Sequence, residues 1–413
     1  MSVFGTHGTH GTHGTHGTHG THGTHGTHGV YGTHGTHGTH GTHGTHGTHG
    51  THGTHGTHGG GTSPLLSSAL GQTAEALIGF WDGTVPVPAT DGADDLTRLM
   101  RLAAFPRAAV LAHEGITLFT VRPGAKPAHV VRTTDTLISL TPPEAPKIAE
   151  QMAEVRAAMD LRADRLPEII AQTDGFMPFF TAQMPFGINR RPYTVHLITA
   201  MLDTVISVEQ RMKHLCSVVR PVDLTPQIQP VIETPGHSAY PSGHATEAFA
   251  TATLLAALKL TGAGIDDAKL VDAVLEKLTP STESAPVTDP VMLLYRLAAR
   301  IADNRTIAGV HYPVDSAHGA LLGLSTALAL IAHCLGGGPD RPVPEWAADG
   351  NDWSGDFSLR KWCAALGNGA QEGWRSGTTT LPKTEEWQLL PALWQAAAAE
   401  WGRKPPTADA PTA

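Results

Sequence analysis

The sequence predicts a mainly α protein: a helical bundle behind a small α+β N-terminal region, preceded by a low-complexity N-terminal tail. Three observations carry that expectation. Between residues 143 and 335, apolar residues recur at helical spacing in one segment after another. Between residues 63 and 142 that spacing gives way to β-branched runs around a Pro123-Gly124 turn. Over residues 5–59 every third residue is glycine, 19 glycines in 55 residues, with Thr and His between them except at Val30 and Tyr31.

The tail, residues 1–62, holds 17 of the 26 histidines and almost nothing apolar to bury. Glycine is entropically costly to order, so disorder is the first expectation for it. A collagen-like trimer is the second, because glycine falls at every third place, but no proline pre-sets the chain to polyproline II. The third is a metal-binding edge, since an extended three-residue repeat stacks its histidines. The remaining residues, 63–413, are enough for one large domain or two smaller ones.

In chain order, residues 95–104 are predicted helical, and residues 108–120 and 129–140 are predicted strands. Long helices are expected over 144–172 and 193–219, the second ended by Arg220-Pro221. Helices over 246–260, 266–278, 292–307 and 315–335 come next, with a breaker-rich loop at 279–290. Beyond residue 335 the chain turns Gly/Pro-rich, and seven of the eight tryptophans fall after residue 345. Trp387, Trp394 and Trp401, spaced by seven, are expected to form one helix stripe packed on the bundle. The same stripe could pack on a second chain, which leaves room for a homo-oligomer. The expected divisions are therefore 1–62, 63–142, 143–335 and a Trp-rich extension, 336–413.

A formal charge of −9 argues against a general nucleic-acid binder, which presents a basic surface. The histidines outnumber that charge, so the chain changes sign within their titration range. Cys216, Cys334 and Cys363 are far apart and odd in number, which excludes a disulfide scaffold and a zinc-finger spacing and fits a reducing compartment. Residues 1–4 run straight into the repeat with no basic or apolar leader pattern, so the expected location is cytoplasmic. The longest uncharged apolar stretch, 319–338, approaches the about 20 residues a bilayer span requires only by counting His333, Cys334 and terminal glycines. A buried core helix is expected there, not a membrane span.

Three segments carry an unusual polar inventory. Lys213 and Arg220 are seven apart, two turns of a continuous helix, which would put them on one side. Ser242-Gly243-His244 immediately precedes a predicted helix, where backbone N–H groups form an anion site. Asn304-Arg305 is followed by His311-Tyr312-Pro313-Val314-Asp315. Three fixed positive charges, a hydroxyl, free amides and two histidines suit a tetrahedral oxyanion.

Taken in order, these segments resemble the phosphatidic acid phosphatase type 2 / vanadium-dependent haloperoxidase superfamily. Its pattern is K-x6-R-P, then P-S-G-H, then S-R-x5-H-x3-D. Lys213, Arg220 and Pro221 match the first; Pro241, Ser242, Gly243 and His244 the second; Arg305, His311 and Asp315 the third. Asn304 stands where the pattern has serine. The resemblance covers roughly residues 190–335 and implies a helical bundle of the PAP2/haloperoxidase type. It also implies that Lys213, Arg220 and Arg305 hold the equatorial oxygens of phosphate or vanadate, with Ser242 and the Gly243 amide. His311 would be the axial group, either nucleophile to phosphorus or ligand to vanadium, and Asp315 would fix its tautomer. Pro313 between them argues against a regular helix there. His244 would be the opposite axial partner, moving protons. His237, seven residues before His244, stands about where vanadium bromoperoxidases carry a second histidine and would tune substrate or halide.

The expected function is that of a vanadium-dependent haloperoxidase-like enzyme, oxidising halide with hydrogen peroxide at a His-bound vanadate. A soluble PAP2-type phosphatase hydrolysing phosphomonoesters through a phosphohistidine, without a cofactor, is the alternative. A non-catalytic oxoanion-binding or scaffold protein displaying the His-rich tail is the third. Expected partners are a small anionic or halide substrate and hydrogen peroxide, not nucleic acid.

Overall fold

The computed structural model describes residues 64–77, 83–84, 94–125, 128–279, 289–367, 373–383 and 389–403. The tail, most of the 279–290 loop and Trp387 lie outside the described residues. The chain divides into two compact units, residues 1–110 and 111–413.

In the first unit, α1 (Pro64–Leu77) has no buried residue. Helix α2 (Asp95–Arg101) starts where the Asp94 carboxylate accepts the Thr97 N–H at 2.7 Å, satisfying a donor that the helix itself leaves open. Helix α3 (Ala104–Thr117) continues into the second unit. Residues 108–120, expected as a strand, are therefore mostly helical. The burial pattern gives the reason: Ala108, Leu111, Ala112 and Gly115 are buried, a 3–4 spacing that one helix face satisfies and a strand cannot.

The second unit opens with β1 (Thr120–Pro123), β2 (His129–Arg132) and β3 (Thr136–Thr141). The single strand expected over 129–140 is two strands, reversed through a Thr133 N–H to Asp135 carbonyl bond of 3.0 Å. With β4 (Val343–Asp349) and β5 (Arg375–Thr379) they form one sheet in the order β1-β2-β3-β4-β5. All neighbours are antiparallel except β3 and β4. Strands from either side of the bundle thus share one sheet, so divisions at 142 and 336 cut through it.

The bundle runs α4 (Ala145–Ala158), α5 (Arg162–Asp174), α6 (Met177–Gln183), α7 (Pro192–Cys216), α8 (Pro221–Leu224), α9 (Gly243–Gly262), α10 (Leu270–Leu278), α11 (Pro290–Ile307) and α12 (Pro313–Cys334). The helix expected over 144–172 is broken by a 3-10 turn, Met159–Leu161. Helices α13 (Leu359–Leu366) and α14 (Leu389–Glu400) complete the chain order.

Helices α9 and α12 form the centre. Every residue of α12 is buried. It is the one helix among the described residues long and apolar enough to cross a membrane, and the protein itself covers all of it. The two helices meet at backbone distance: a Cβ on Gly319 would lie 2.5 Å from the Ser242 carbonyl, and one on Gly323 would run into the Thr246 carbonyl.

Helix α14 packs against α7. The Glu400 carboxylate accepts the N–H groups of Tyr193 and Thr194 at 2.9 and 2.8 Å, capping α7 with negative charge at its positive end. Trp394 is buried, and the Trp401 indole donates to Thr194 Oγ1 at 3.0 Å. Two of the three tryptophans expected as a packing stripe thus lie against the bundle.

Candidate functional site

The residues singled out in the sequence come together at helix ends. Lys213 lies in the last turn of α7. Ser242 caps α9, and Gly243 is its first residue. Arg305 lies in the last turn of α11, and His311 precedes α12, whose first turn holds Asp315.

Lys213 and Arg220 meet for a reason other than the expected one. Helix α7 stops at Cys216, and Ser217 turns the chain in the left-handed region (φ 49). Arg220 is extended (φ −79, ψ 155), ahead of α8. A turn, not two helical turns, brings the guanidinium back. Its Nε donates to the His237 carbonyl at 3.0 Å, and Nη1 to the Val310 carbonyl at 2.6 Å. Nη1 also lies 3.1 Å from His311 Nε2, and Nη2 lies 3.1 Å from His237 Nδ1. A guanidinium can only donate, so His311 Nε2 accepts; His237 Nδ1 lies 3.2 Å from the Ser238 carbonyl as well, to which it donates in the other tautomer.

The Arg220 contact settles the tautomer of His311. With Nε2 accepting, the proton sits on Nδ1 and is donated to Asp315 Oδ2 at 3.0 Å. Oδ2 also accepts the Tyr312 N–H at 2.9 Å. Pro313 occupies the first turn of α12, where its missing N–H costs nothing, so Asp315 reaches back over it to His311. His311 and Asp315 are 3% and 0% exposed. Burial first, then the charges of Arg220 and Lys213, hold the His311 ring well below the usual imidazole range. Burial pushes Asp315 up to about 7, against the pull of the Tyr312 N–H and the Lys213 and Arg220 charges.

The Lys213 ammonium donates to the carbonyls of Pro241 and, at 3.2 Å, Ser238. Burial lowers it to about 8. Ser242 is fixed by its N–H to the Asp315 carbonyl, 2.9 Å, which ties the start of α9 to the start of α12. At Gly243 a Cβ would fall 2.8 and 2.9 Å from the carboxylate oxygens of Glu209, so a side chain there would require Glu209 to move.

On the other flank, His244 Nε2 lies 3.2 Å from the Gln172 carbonyl. A carbonyl accepts, so the neutral ring carries its proton on Nε2 and Nδ1 is its basic nitrogen. Burial, then the Arg305 charge, pulls His244 down to about 3. Arg305 uses Nη2 alone, donating to the Ile169 carbonyl at 3.2 Å and to Gln172 Oε1 at 2.9 Å. Its Nε and Nη1, and Gln172 Nε2, are buried with no hydrogen-bond partner among the described residues. Burial lowers Arg305 to about 10, and it stays charged at neutral pH. His237 lies at the exposed edge, held down to about 4 by burial of part of its ring and the Lys213 and Arg220 charges.

Asn304, in place of the serine of the pattern, donates to Gln172 Oε1 at 3.0 Å and accepts from Arg165 at 3.1 Å. It braces Gln172. Sequence reasoning missed Gln172, which holds Asn304 and Arg305, and Glu209, which lies against Gly243. Glu209 had a signal, four residues before Lys213 on the same helix face; Gln172 had none.

A family model described as PAP2 superfamily matches residues 193–335, and one described as Collagen triple helix repeat (20 copies) matches residues 4–63. Among curated proteins, the vanadium-dependent bromoperoxidase of Corallina pilulifera is 38% identical over 98 residues, and that of Corallina officinalis is 37% identical over 98 residues. The matched stretch is 24% of this chain and 16% of either relative. It lies in a chain whose helix ends gather Lys213, Arg220, Ser242, His244, Arg305 and His311. The chain therefore carries, over residues 193–335, a domain of the PAP2/haloperoxidase superfamily.

Proposed function

We propose that the chain is a haloperoxidase-type enzyme that holds vanadate on His311 and uses hydrogen peroxide to oxidise a halide. The observation that carries this reading is Arg305, a buried cation whose Nε and Nη1 meet no acceptor among the described residues. Leaving a buried donor unmet costs about 1–3 kcal/mol, more when it is charged. An oxoanion would remove that cost, and the basic Nε2 of His311 would hold it.

The donor set fits vanadate. Lys213, Arg220 and Arg305 would balance its charge, with the Gly243 amide and Ser242 at the positive end of α9. Bound vanadate supplies a Lewis-acidic centre that activates peroxide for oxidation of halide. The chain's own tasks are to hold His311 in the Nδ1–H tautomer through Asp315 and to move a proton at His244. Nearby negative charge favours imidazolium, so a bound oxoanion would lift His244 from about 3. Arg220 would exchange its 3.1 Å bond to His311 Nε2 for one to the anion.

The phosphatase reading uses the same His311 nitrogen and is favoured by the PAP2 match. Nε2 would attack phosphorus while the P–O bond to the alcohol breaks. Protonated His244 would give its proton to the leaving oxygen, and water would then cleave the N–P bond. The haloperoxidase reading draws further support from the bromoperoxidase relatives and from His237 seated against Arg220. A paired assay on one preparation tests it: bromide-dependent halogenation with vanadate and peroxide, beside phosphomonoester hydrolysis without vanadate. Halogenation is expected. Hydrolysis with no halogenation would replace this reading with the phosphatase.

A further inference from the structure

We infer that Gln172 is a direct ligand of the oxoanion: its amide oxygen orients Arg305, and its amide nitrogen donates to an oxygen of the bound anion. The inference rests on the oxoanion reading of the site. It adds a neutral donor from α5, outside the three segments that the sequence marks.

Gln172 lies in the last turn of α5, one turn after Ile169 on the buried face of that helix, and is 0% exposed. Carbonyls in a last turn have no partner within the helix, and that of Gln172 accepts from His244 Nε2 at 3.2 Å. Its side chain meets Arg305, whose Nη2 donates to Oε1 at 2.9 Å. One residue thus touches both His244 and Arg305.

The hydrogen bonds fix which way the amide faces. The Arg165 guanidinium can only donate, so Asn304 presents Oδ1 to it at 3.1 Å and keeps Nδ2 for Gln172, 3.0 Å away. Arg305 can only donate as well. Both donors require Oε1, and turning the amide over would set Nε2 against the two of them. Nε2 is left buried with no hydrogen-bond partner among the described residues, as are Arg305 Nε and Nη1.

Bracing Asn304 and Arg305 does not use that nitrogen. A carboxylate would accept both bonds more strongly, but it would pair with the Arg305 charge. The amide orients the guanidinium, leaves its charge for the anion and has a donor to spare. An NH2 group can only donate, and an oxoanion offers it the acceptor that the fold does not.

The test is a pair of measurements on the full chain, with vanadate and with inorganic phosphate as probes. Titration compares wild type with Gln172→Met, which keeps the length of the side chain and removes the donor. A hydrogen bond to a charged acceptor corresponds to about ten- to a hundredfold in affinity, so Gln172→Met should bind either anion more weakly by about that factor. Loss of the brace alone would also weaken the site, so the second measurement reads the contact itself. A crystal structure of the anion-loaded wild type should place Gln172 Nε2 about 2.7–3.2 Å from an anion oxygen, and it decides the question if Gln172→Met does not fold. Wild-type affinity in Gln172→Met, or an amide nitrogen more than about 3.6 Å from every anion oxygen, overturns the inference. A wild type that binds neither anion would instead overturn the oxoanion reading beneath it.

Discussion

The two arginines of the site differ in what they have left to give. Arg220 engages all three guanidinium nitrogens with the protein, on the His237 and Val310 carbonyls and the rings of His311 and His237. Arg305 engages one nitrogen and leaves two buried and unmet among the described residues. One flank is already wired, and an anion entering there must exchange bonds. The other flank is receptive, and an anion entering there satisfies groups the fold leaves open. On the proposed function, the wired flank would set geometry and the receptive flank would supply the driving force for binding.

The largest expected effect tests the wired flank. His311→Ala should lower turnover by more than about 10³-fold and weaken vanadate binding severely, since it removes the ring nitrogen proposed to hold the oxoanion. Wild-type turnover and affinity in this variant would mean that the flank carries no chemistry. His244, on the receptive flank, should behave differently. His244→Ala is expected to lose about 10²–10⁴-fold in rate while keeping appreciable vanadate affinity, because the cations and the Gly243 amide remain. Parallel loss of binding and rate would merge the two histidines into one role.

The next pair compares the flanks through stability. In urea unfolding without oxoanion, Arg220→Met should cost about 3 kcal/mol or more, because it strands the Val310 and His237 carbonyls. Arg305→Met should stay within about 1 kcal/mol of wild type, since it removes two unmet donors along with two bonds. Vanadate is expected to raise the Tm of the wild type, and Arg305→Met should abolish that rise. Equal costs would erase the distinction between the flanks. The smallest effect belongs to His237→Phe, which removes one partner of Arg220 at the exposed edge. Loss of one such bond, worth about 0.5–1 kcal/mol, should weaken vanadate binding about two- to fivefold. No change would show that Arg220 is held without it.

Much of the site is legible in the sequence because its residues sit within short segments whose spacing survives folding. His311 and Asp315 are the clearest case, for the capping geometry that joins them needs only a proline and four residues of chain. Lys213 and Arg220 are readable as a pair, but the physical reason was not: a helix that ends at Cys216 and a left-handed Ser217 replace the two turns that the spacing suggests. Gln172 is invisible for a different reason. It reaches Asn304 and Arg305 across 132 and 133 residues, and nothing local marks a glutamine for that task. The bundle is legible by periodicity, whereas residues 108–117 are not. Their alanine-rich apolar run suits either element, and only packing decides.

The contact of α9 with α12 at Gly319 and Gly323 has a consequence for how the domain can change over time. The start of α9 carries Ser242 and Gly243, and the start of α12 comes directly after His311. Backbone against backbone is the shortest separation two helices can take, so the distance between those helix starts rests on no side-chain volume. The pair works as a machinist's stop: a fixed zero from which the site is gauged. Outer helices and the sheet can exchange residues and drift in size while that zero holds. A single methyl at either glycine would move one half of the site relative to the other. Tolerance to substitution in this domain should therefore be least where the side chains are smallest.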